Sequence, residues 1–278
     1  MFLLIGFFYT PISANETNND NKYYLIVNGR KWSRYVKNVK DITNMFYSVR
    51  NVIWADNNKE EKFREIVIPE GIKELDDLYF INCTYLEKVT LPKGLKKIRR
   101  GAFENCTSLK TINIPNGVTE IGTGAFRNCK SLEYITIPDS VKEIEGAAFE
   151  NCTNLKSIIL SNNITKINPY LFYNCISLEK VNIPNGVTAI YRAAFHNCTS
   201  LKTINIPNGV TFIGMSAFAY CRFKKITIPN SVKEIRIDWG GTIVIGLGNL
   251  FMAQILYITT APQKAHLGEQ DNILDISK

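Results

Sequence analysis

The feature that most narrows the folds open to this chain is a period of 23 residues. A leucine recurs at Leu86, Leu109, Leu132, Leu155, Leu178 and Leu201, with Phe63 one step earlier. The seven cysteines, Cys83, Cys106, Cys129, Cys152, Cys175, Cys198 and Cys221, keep the same step. The segment LKTINIPNGVTEIGTGAFRNC from Leu109 returns as LKTINIPNGVTFIGMSAFAYC from Leu201. Self-similarity at such a period marks a solenoid. One coil cannot cover its own apolar face, so each must stack on copies of itself.

Counting that leucine as position 1, positions 1, 4 and 6 are apolar, as in Leu109, Ile112 and Ile114 or Leu132, Ile135 and Ile137. Polar residues stand between them, so the run reads as a strand with one buried face. Proline follows at Pro69, Pro92, Pro115, Pro138, Pro184, Pro207 and Pro229. It has no N–H to give to a ladder and ends the pairing there. Asn116-Gly117 and its counterparts supply turn chemistry. A second apolar pair, Val118 with Ile121, repeats as Val141/Ile144, Val187/Ile190 and Val210/Ile213 and predicts a second short strand. The Ala-Phe step that follows, as at Ala125-Phe126, leaves room for no more than a one-turn helix and aims a ring into the core opposite the sheet. Two coils depart from the pattern. Ser161 replaces proline in the fifth, which also carries Pro169 and Leu171. The coil opened by Leu201 is one residue short, so Phe223 takes the next leucine position. Local irregularity is expected at the first, and a fading end at the second.

The cysteines occupy one position per coil and so form a file. Neighbouring coils of a parallel sheet lie about 4.8 Å apart. Their side chains point in parallel, however, whereas a disulfide needs Cβ atoms about 3.8 Å apart. Buried free thiols acting as small apolar fillers are expected. The 33 basic and 25 acidic residues leave a net charge of +8, spread along the chain with no long basic run. That argues against a nucleic-acid arm and supports only a weak attraction to acidic surfaces or anionic glycans. Position 2 reads Arg64, Glu87, Lys110, Glu133, Lys156, Glu179, Lys202, Lys224. Opposite charges on neighbouring strands add about 0.2–1 kcal/mol per pair, so this column reads as a charge ladder that helps fix register.

The combined pattern LxxIxIPxxVxxIgxxAFxxCxxL resembles the repeat of the BspA-like, or treponemal-type, leucine-rich repeat family. The match runs over about 63–237, seven full coils and part of an eighth. The resemblance implies a right-handed, β-rich superhelix of 23-residue coils, with a parallel sheet on the concave side and short second strands and one-turn helices elsewhere. It also implies a role in binding or adhesion at the surface of host-associated bacteria and some protists, and it carries over no catalytic residue. Concave solenoid faces are the usual binding surfaces. Positions 3 and 5 of the strand form a Thr/Asn/Lys face with one aromatic. The candidate partner-contacting residues there are Lys88, Thr111, Tyr134, Thr136, Ile159, Lys180, Asn182 and Asn205, with Tyr134 and Ile159 the pair to test first.

Residues 1–14, MFLLIGFFYTPISA, read as a signal-peptide core cleaved after Ala14, although no basic residue precedes the apolar run. A mis-set start or a buried strand is the other reading. Residues 15–62 form the N-terminal cap region, a polar start followed by two strand-like runs about Asn28-Gly29, a hairpin signal. A separate ligand-binding module using Trp32 and Arg34 is the alternative there. In 238–262 an uncharged stretch, WGGTIVIGLGNLFMAQILYITTAP from Trp239, is long enough to cross a bilayer or to cap the last coil. Residues 263–278 are a polar tail.

No constellation for catalysis emerges. Ile245-Gly246-Leu247-Gly248 has Phe251 where a dinucleotide loop needs its third glycine. His196 sits in a variable position filled elsewhere by Glu104, Arg127, Glu150 and Tyr173, and His266 lies in the tail. Cysteines a coil apart lack zinc spacing. Asn-x-Thr triplets at Asn15, Asn82, Asn105, Asn151, Asn163 and Asn197 mostly follow from the repeat, and carry a glycan only on a eukaryotic secretory route. The sequence thus points to a non-enzymatic, surface or secreted solenoid that captures a protein or glycan partner. It calls for no nucleic acid, cofactor or metal, and 239–262 is its route to a membrane. The rival reading is an intracellular structural or scaffold repeat protein with both ends capped.

Overall fold

A computed structural model of the chain describes residues 64–68, 70–223 and 225–236, together with the backbone of the strands Tyr24–Val27, Arg30–Ser33 and Ile273–Asp275. Expectations for 1–14, Phe63, Pro69, the Trp32 and Arg34 side chains and 238–262 lie outside the described residues. The described part is a parallel-strand solenoid, and each coil has three sides.

The first side carries the strands Glu65–Val67, Lys88–Thr90, Thr111–Ile112, Tyr134–Thr136, Ser157–Ile159 and Lys180–Val181. Pairing is parallel at a one-coil offset, as in Glu65↔Lys88, Lys88↔Thr111 and Ser157↔Lys180. Strand alternation buries Ile66, Val89, Ile112, Ile135 and Ile158 and turns positions 3 and 5 outward. The proline then opens a tight turn, in which the amide of Val118 donates to the Pro115 carbonyl at 3.0 Å. Val141, Val187, Val210 and Val232 close the same turn onto Pro138, Pro184, Pro207 and Pro229. The second side carries Glu74–Leu75, Lys97–Ile98, Glu120–Ile121 and Glu143–Ile144 in one sheet, and Lys166–Ile167, Ala189–Ile190, Phe212–Ile213 and Glu234–Ile235 in another.

The third side corrects the sequence reading. No one-turn helix forms there; Gly101–Asn105 and its equivalents are a run of turns. Alternate amides bond within the coil, Ala102 to the Arg99 carbonyl and Glu104 to that of Gly101. The intervening amides point along the stack, so that Gly101, Phe103 and Asn105 donate to the carbonyls of Thr123, Ala125 and Arg127 in the next coil. That geometry requires two left-handed residues per coil, Gly101 (φ 59°) and Asn105 (φ 61°), then Gly124 and Asn128, and so on to Ser216 and Tyr220. Glycine and asparagine are the residues that reach this conformation most readily, which explains the asparagine before each cysteine from Asn82 to Asn197.

The core lies between the three sides. Phe80, Phe103, Phe126, Phe149, Phe172, Phe195 and Phe218 stack in one file, with successive ring centroids 5.2–5.8 Å apart. The file stands where the Ala-Phe step was expected to put it. The seven cysteines line up buried and unbridged beside it. They are more than fillers. Each thiol from Cys106 to Cys221 donates to the carbonyl of the phenylalanine 26 residues earlier, at 3.1–3.2 Å.

Both expected irregularities have a local cause. In the fifth coil the second-side ladder breaks between Glu143–Ile144 and Lys166–Ile167. Where other coils use a main-chain amide to reach the preceding isoleucine carbonyl, here the side chain of Asn168 donates to Ile144 at 2.6 Å. Ser161, fully buried, donates its hydroxyl to Val141 at 2.6 Å and accepts from the Asn163 amide. At the other end, residues 201–207 form no strand. Lys225–Thr227, in the coil after the shortened one, pairs antiparallel with Ile273–Asp275 instead. At the N-terminal end, Tyr24–Val27 and Arg30–Ser33 pair antiparallel with Val27 opposite Arg30, and Tyr24–Val27 runs antiparallel to Glu65–Val67 at the edge of the first column.

Candidate binding face

All eight residues proposed as partner contacts, Lys88, Thr111, Tyr134, Thr136, Ile159, Lys180, Asn182 and Asn205, are exposed on the first side. Lys88 and Thr111 stand directly opposite in register. Tyr134 and Ile159 are 55% and 57% exposed, and of the described large apolar groups only Tyr220, at 59%, is more open than Ile159. They are diagonal rather than direct neighbours, because Tyr134 faces Ser157 and Thr136 faces Ile159. The Lys156 ammonium lies 5.7 Å from the Tyr134 ring centre, and its pKa is raised, chiefly by its hydrogen bond to Glu133.

The charge ladder forms only in part. Glu87 bridges Arg64 at 2.5 Å and Lys110 at 3.0 Å, and these cations hold its carboxyl below the usual range, Lys110 first. Lys156 pairs with Glu133 at 2.7 Å. Lys110 and Glu133 do not pair; the strands there are joined by one long backbone contact, Glu133 amide to Lys110 carbonyl at 3.5 Å. Among the described residues Glu179 and Lys202 also lack an ion-pair partner. Ion pairs of this column thus form only between paired strands, and Lys156, already held by Glu133, leaves Glu179 without one although their strands pair.

One feature of this face was not legible in the sequence. A depression of about 580 Å³ opens beside Ser157–Ile159, Lys180–Asn182 and Thr203–Asn205. It contains four of the eight candidates, Ile159, Lys180, Asn182 and Asn205. Its cause is the loss of strand pairing after Lys180–Val181, the edge of its three-stranded sheet. Val181 and Ile204, at a position buried in the earlier coils, are only partly covered here. The one-residue deletion hinted at an end effect; the open step it accompanies lies one coil earlier.

Elsewhere the surface columns are occupied by contacts along the stack. Asn105 donates its side-chain amide to Asn82 at 2.7 Å, Asn128 to Asn105 at 2.7 Å, Asn174 to Asn151 at 2.8 Å and Asn197 to Asn174 at 2.6 Å. Arg127 stands between Glu104 and Glu150. His196 occupies the same column and stacks on Tyr173 with ring centres 4.8 Å apart. Burial pushes the thiols of Cys106, Cys129, Cys152, Cys175 and Cys198 up, Cys152 to about 12, the opposite of what a nucleophile needs. Among the described residues no group of three or more His, Cys, Asp or Glu is placed to hold a metal ion.

Comparison with known proteins agrees with this architecture. The family model for the BspA type leucine rich repeat region matches residues 57–144 and 119–238, in six copies. A leucine-rich repeat protein from Bacteroides ovatus is 31% identical, with a TM-score of 0.61 over 64% of this chain. The match spans 47% of the Bacteroides protein, less than half of its length. The leucine-rich repeat protein of T. pallidum is 32% identical, with a TM-score of 0.55 over 57% of this chain and 77% of its own. Among functionally curated proteins none matches. Coil length, strand order, the cysteine and phenylalanine files and the family model converge: this chain belongs to the BspA-type leucine-rich repeat family.

Proposed function

We propose that this protein is a surface-displayed or secreted binding protein that captures a protein or glycan partner on the first side of its solenoid. The observation that carries this reading is the exposed run from Lys88 to Asn205, where polar side chains, one tyrosine and one isoleucine share one uncovered face. At positions 3 and 5 of this side the one ion pair among the described residues is the exposed contact of Lys88 with Glu65 at 3.9 Å, whereas side chains of the third side tie coil to coil. Membership of a family with structurally characterised bacterial members, and the signal-like start, support display outside the cell. Binding to arrayed extracellular proteins and glycans, followed by surface plasmon resonance on hits, tests the reading. Tyr134→Ala combined with Ile159→Asp weakens capture and leaves the melting temperature within a few degrees. Equal capture by the double variant eliminates this patch.

One observation favours the intracellular scaffold with capped ends. The backbone of Ile273–Asp275 pairs with Lys225–Thr227, which returns a segment beyond 239–262 to the last coil. Protease treatment of intact cells separates the two readings: coils fully protected from digestion remove surface display.

A further inference from the structure

The step between the coils of Leu178 and Leu201 is open on the first side of the solenoid and carries a depression. Lys180–Val181 is bonded on one side only, to Ser157–Ile158. Among the described residues no backbone hydrogen bond joins Lys202–Ile206 to Glu179–Ile183. In other coils the amide at position 3 serves this seam, Lys88 donating to Arg64 at 3.0 Å and Lys180 to Lys156 at 3.3 Å. Thr203 holds that position here, and its amide has no such partner. The step therefore presents unpaired main-chain groups over a partly apolar floor of Val181 and Ile204, flanked by Asn182, Asn205 and Thr227.

Such an edge accepts an added strand, with main-chain hydrogen bonds supplying affinity and neighbouring side chains supplying selectivity. The depression, about 580 Å³, falls within the range of roughly 300–1,000 Å³ usual for ligand clefts. Charge narrows the occupant. Lys110 and Lys156 are each neutralised by a glutamate along the column, but Lys180 and Lys202 have no ion-pair partner among the described residues, with Glu179 the one acid beside them. A second copy of the chain would set these lysines against each other. The chain also shows the mode on the adjoining coil: Ile273–Asp275 adds an antiparallel strand to Lys225–Thr227, with Asp275 in register with Lys225.

We propose that the open step is a docking slot for an extended peptide segment bearing acidic side chains, received by strand addition. This rests on the binding reading above and specifies its ligand. The test uses the full chain and a fluorescein-labelled ten-residue peptide alternating glutamate and threonine, read by fluorescence polarisation. Comparators are the same peptide with its threonines replaced by proline, the same peptide with lysine for glutamate, and a sulfated hexasaccharide. The glutamate–threonine peptide binds saturably, and the proline and lysine versions bind at least tenfold more weakly. Lys180→Glu with Lys202→Glu weakens binding about tenfold. Thr203→Pro, which removes an amide with no hydrogen-bond partner among the described residues, does the same with an unchanged melting temperature. Tyr134→Ala, outside the slot, leaves peptide binding intact.

Equal binding of the proline peptide overturns strand addition. Preference for the hexasaccharide overturns the peptide, and self-association of the chain that the lysine reversals abolish overturns the external partner. Absence of peptide binding, while Tyr134-dependent capture persists, removes this proposal and leaves the binding reading standing.

Discussion

Replacing Asn128 asks what the asparagine file is for. Its φ is 60°, its main-chain amide donates to Glu150 at 2.8 Å, and its side chain donates to Asn105 at 2.7 Å. Asn128→Ala incurs the left-handed penalty of an ordinary residue, about 1–2 kcal/mol. It also removes one side-chain hydrogen bond, about 0.5–1.5 kcal/mol. The sum is a loss of about 1.5–3.5 kcal/mol. Asn128→Gly loses the same hydrogen bond but relieves the backbone, at the cost of about 0.4–1 kcal/mol of unfolded-state entropy. Glycine should therefore be the milder change, by about 0.5–1 kcal/mol. Urea unfolding of the full chain by far-ultraviolet circular dichroism, with both variants measured at equal slope, gives the ordering. Building the same change at Asn105, Asn128 and Asn151 together multiplies the gap. If alanine proves as stable as glycine, or more so, the backbone conformation is not what selects asparagine, and the reasoning fails.

Three further outcomes follow from the core. Phe149, fully buried between Phe126 and Phe172, should cost about 3–5 kcal/mol on change to alanine; a loss under about 1 kcal/mol in chemical denaturation contradicts the stack. Burial raises the Cys152 thiol from 9.0 to about 12, so the folded state holds a proton that the unfolded chain releases. Its contribution is complete below pH 9 and declines as pH rises toward about 12, by about 1.4 kcal/mol per unit. Stability measured against pH should fall less steeply over that window in Cys152→Ala. Ser161→Ala leaves the Val141 carbonyl without its hydroxyl donor and should cost about 1–3 kcal/mol, whereas Ser161→Thr retains most of it; equal melting of Ser161→Ala and the parent assigns that hydroxyl no role.

How much was legible in the sequence depends on what each residue answers to. Positions 1, 4 and 6, the phenylalanines and the cysteines answer to one demand, an apolar interior, and their period placed them correctly. The third side was misread because its signal is conformational. Gly101, Asn105, Gly124 and Asn128 mark left-handed backbone, but Ala-Phe beside them suggested a helical turn. The Asn-x-Thr triplets read as by-products of the repeat without a reason for the asparagine itself, whereas Asn105 and Asn197 have their side-chain amides committed along the stack. On the binding face, exposure of all eight candidates follows from strand alternation alone. The open step does not, because Leu201–Pro207 matches Leu109–Pro115 letter for letter, and the missing residue of its coil falls after it.

The breaks in the two strand columns never coincide. The first side parts between the coils of Leu109 and Leu132 and again on both sides of the Leu201 coil, the second between those of Leu132 and Leu155. The turn seam of the third side runs through all of these, with three amides crossing at each of six junctions from Leu78–Asn82 to Ala193–Asn197. The molecule therefore works like a book bound along its spine. Pages can part on the reading side without coming loose, so residues facing a partner are free to change, or to gape, at little expense to the binding that keeps the volume whole. Stretched from its ends, such a chain should splay on the strand sides first and give way along the asparagine edge last.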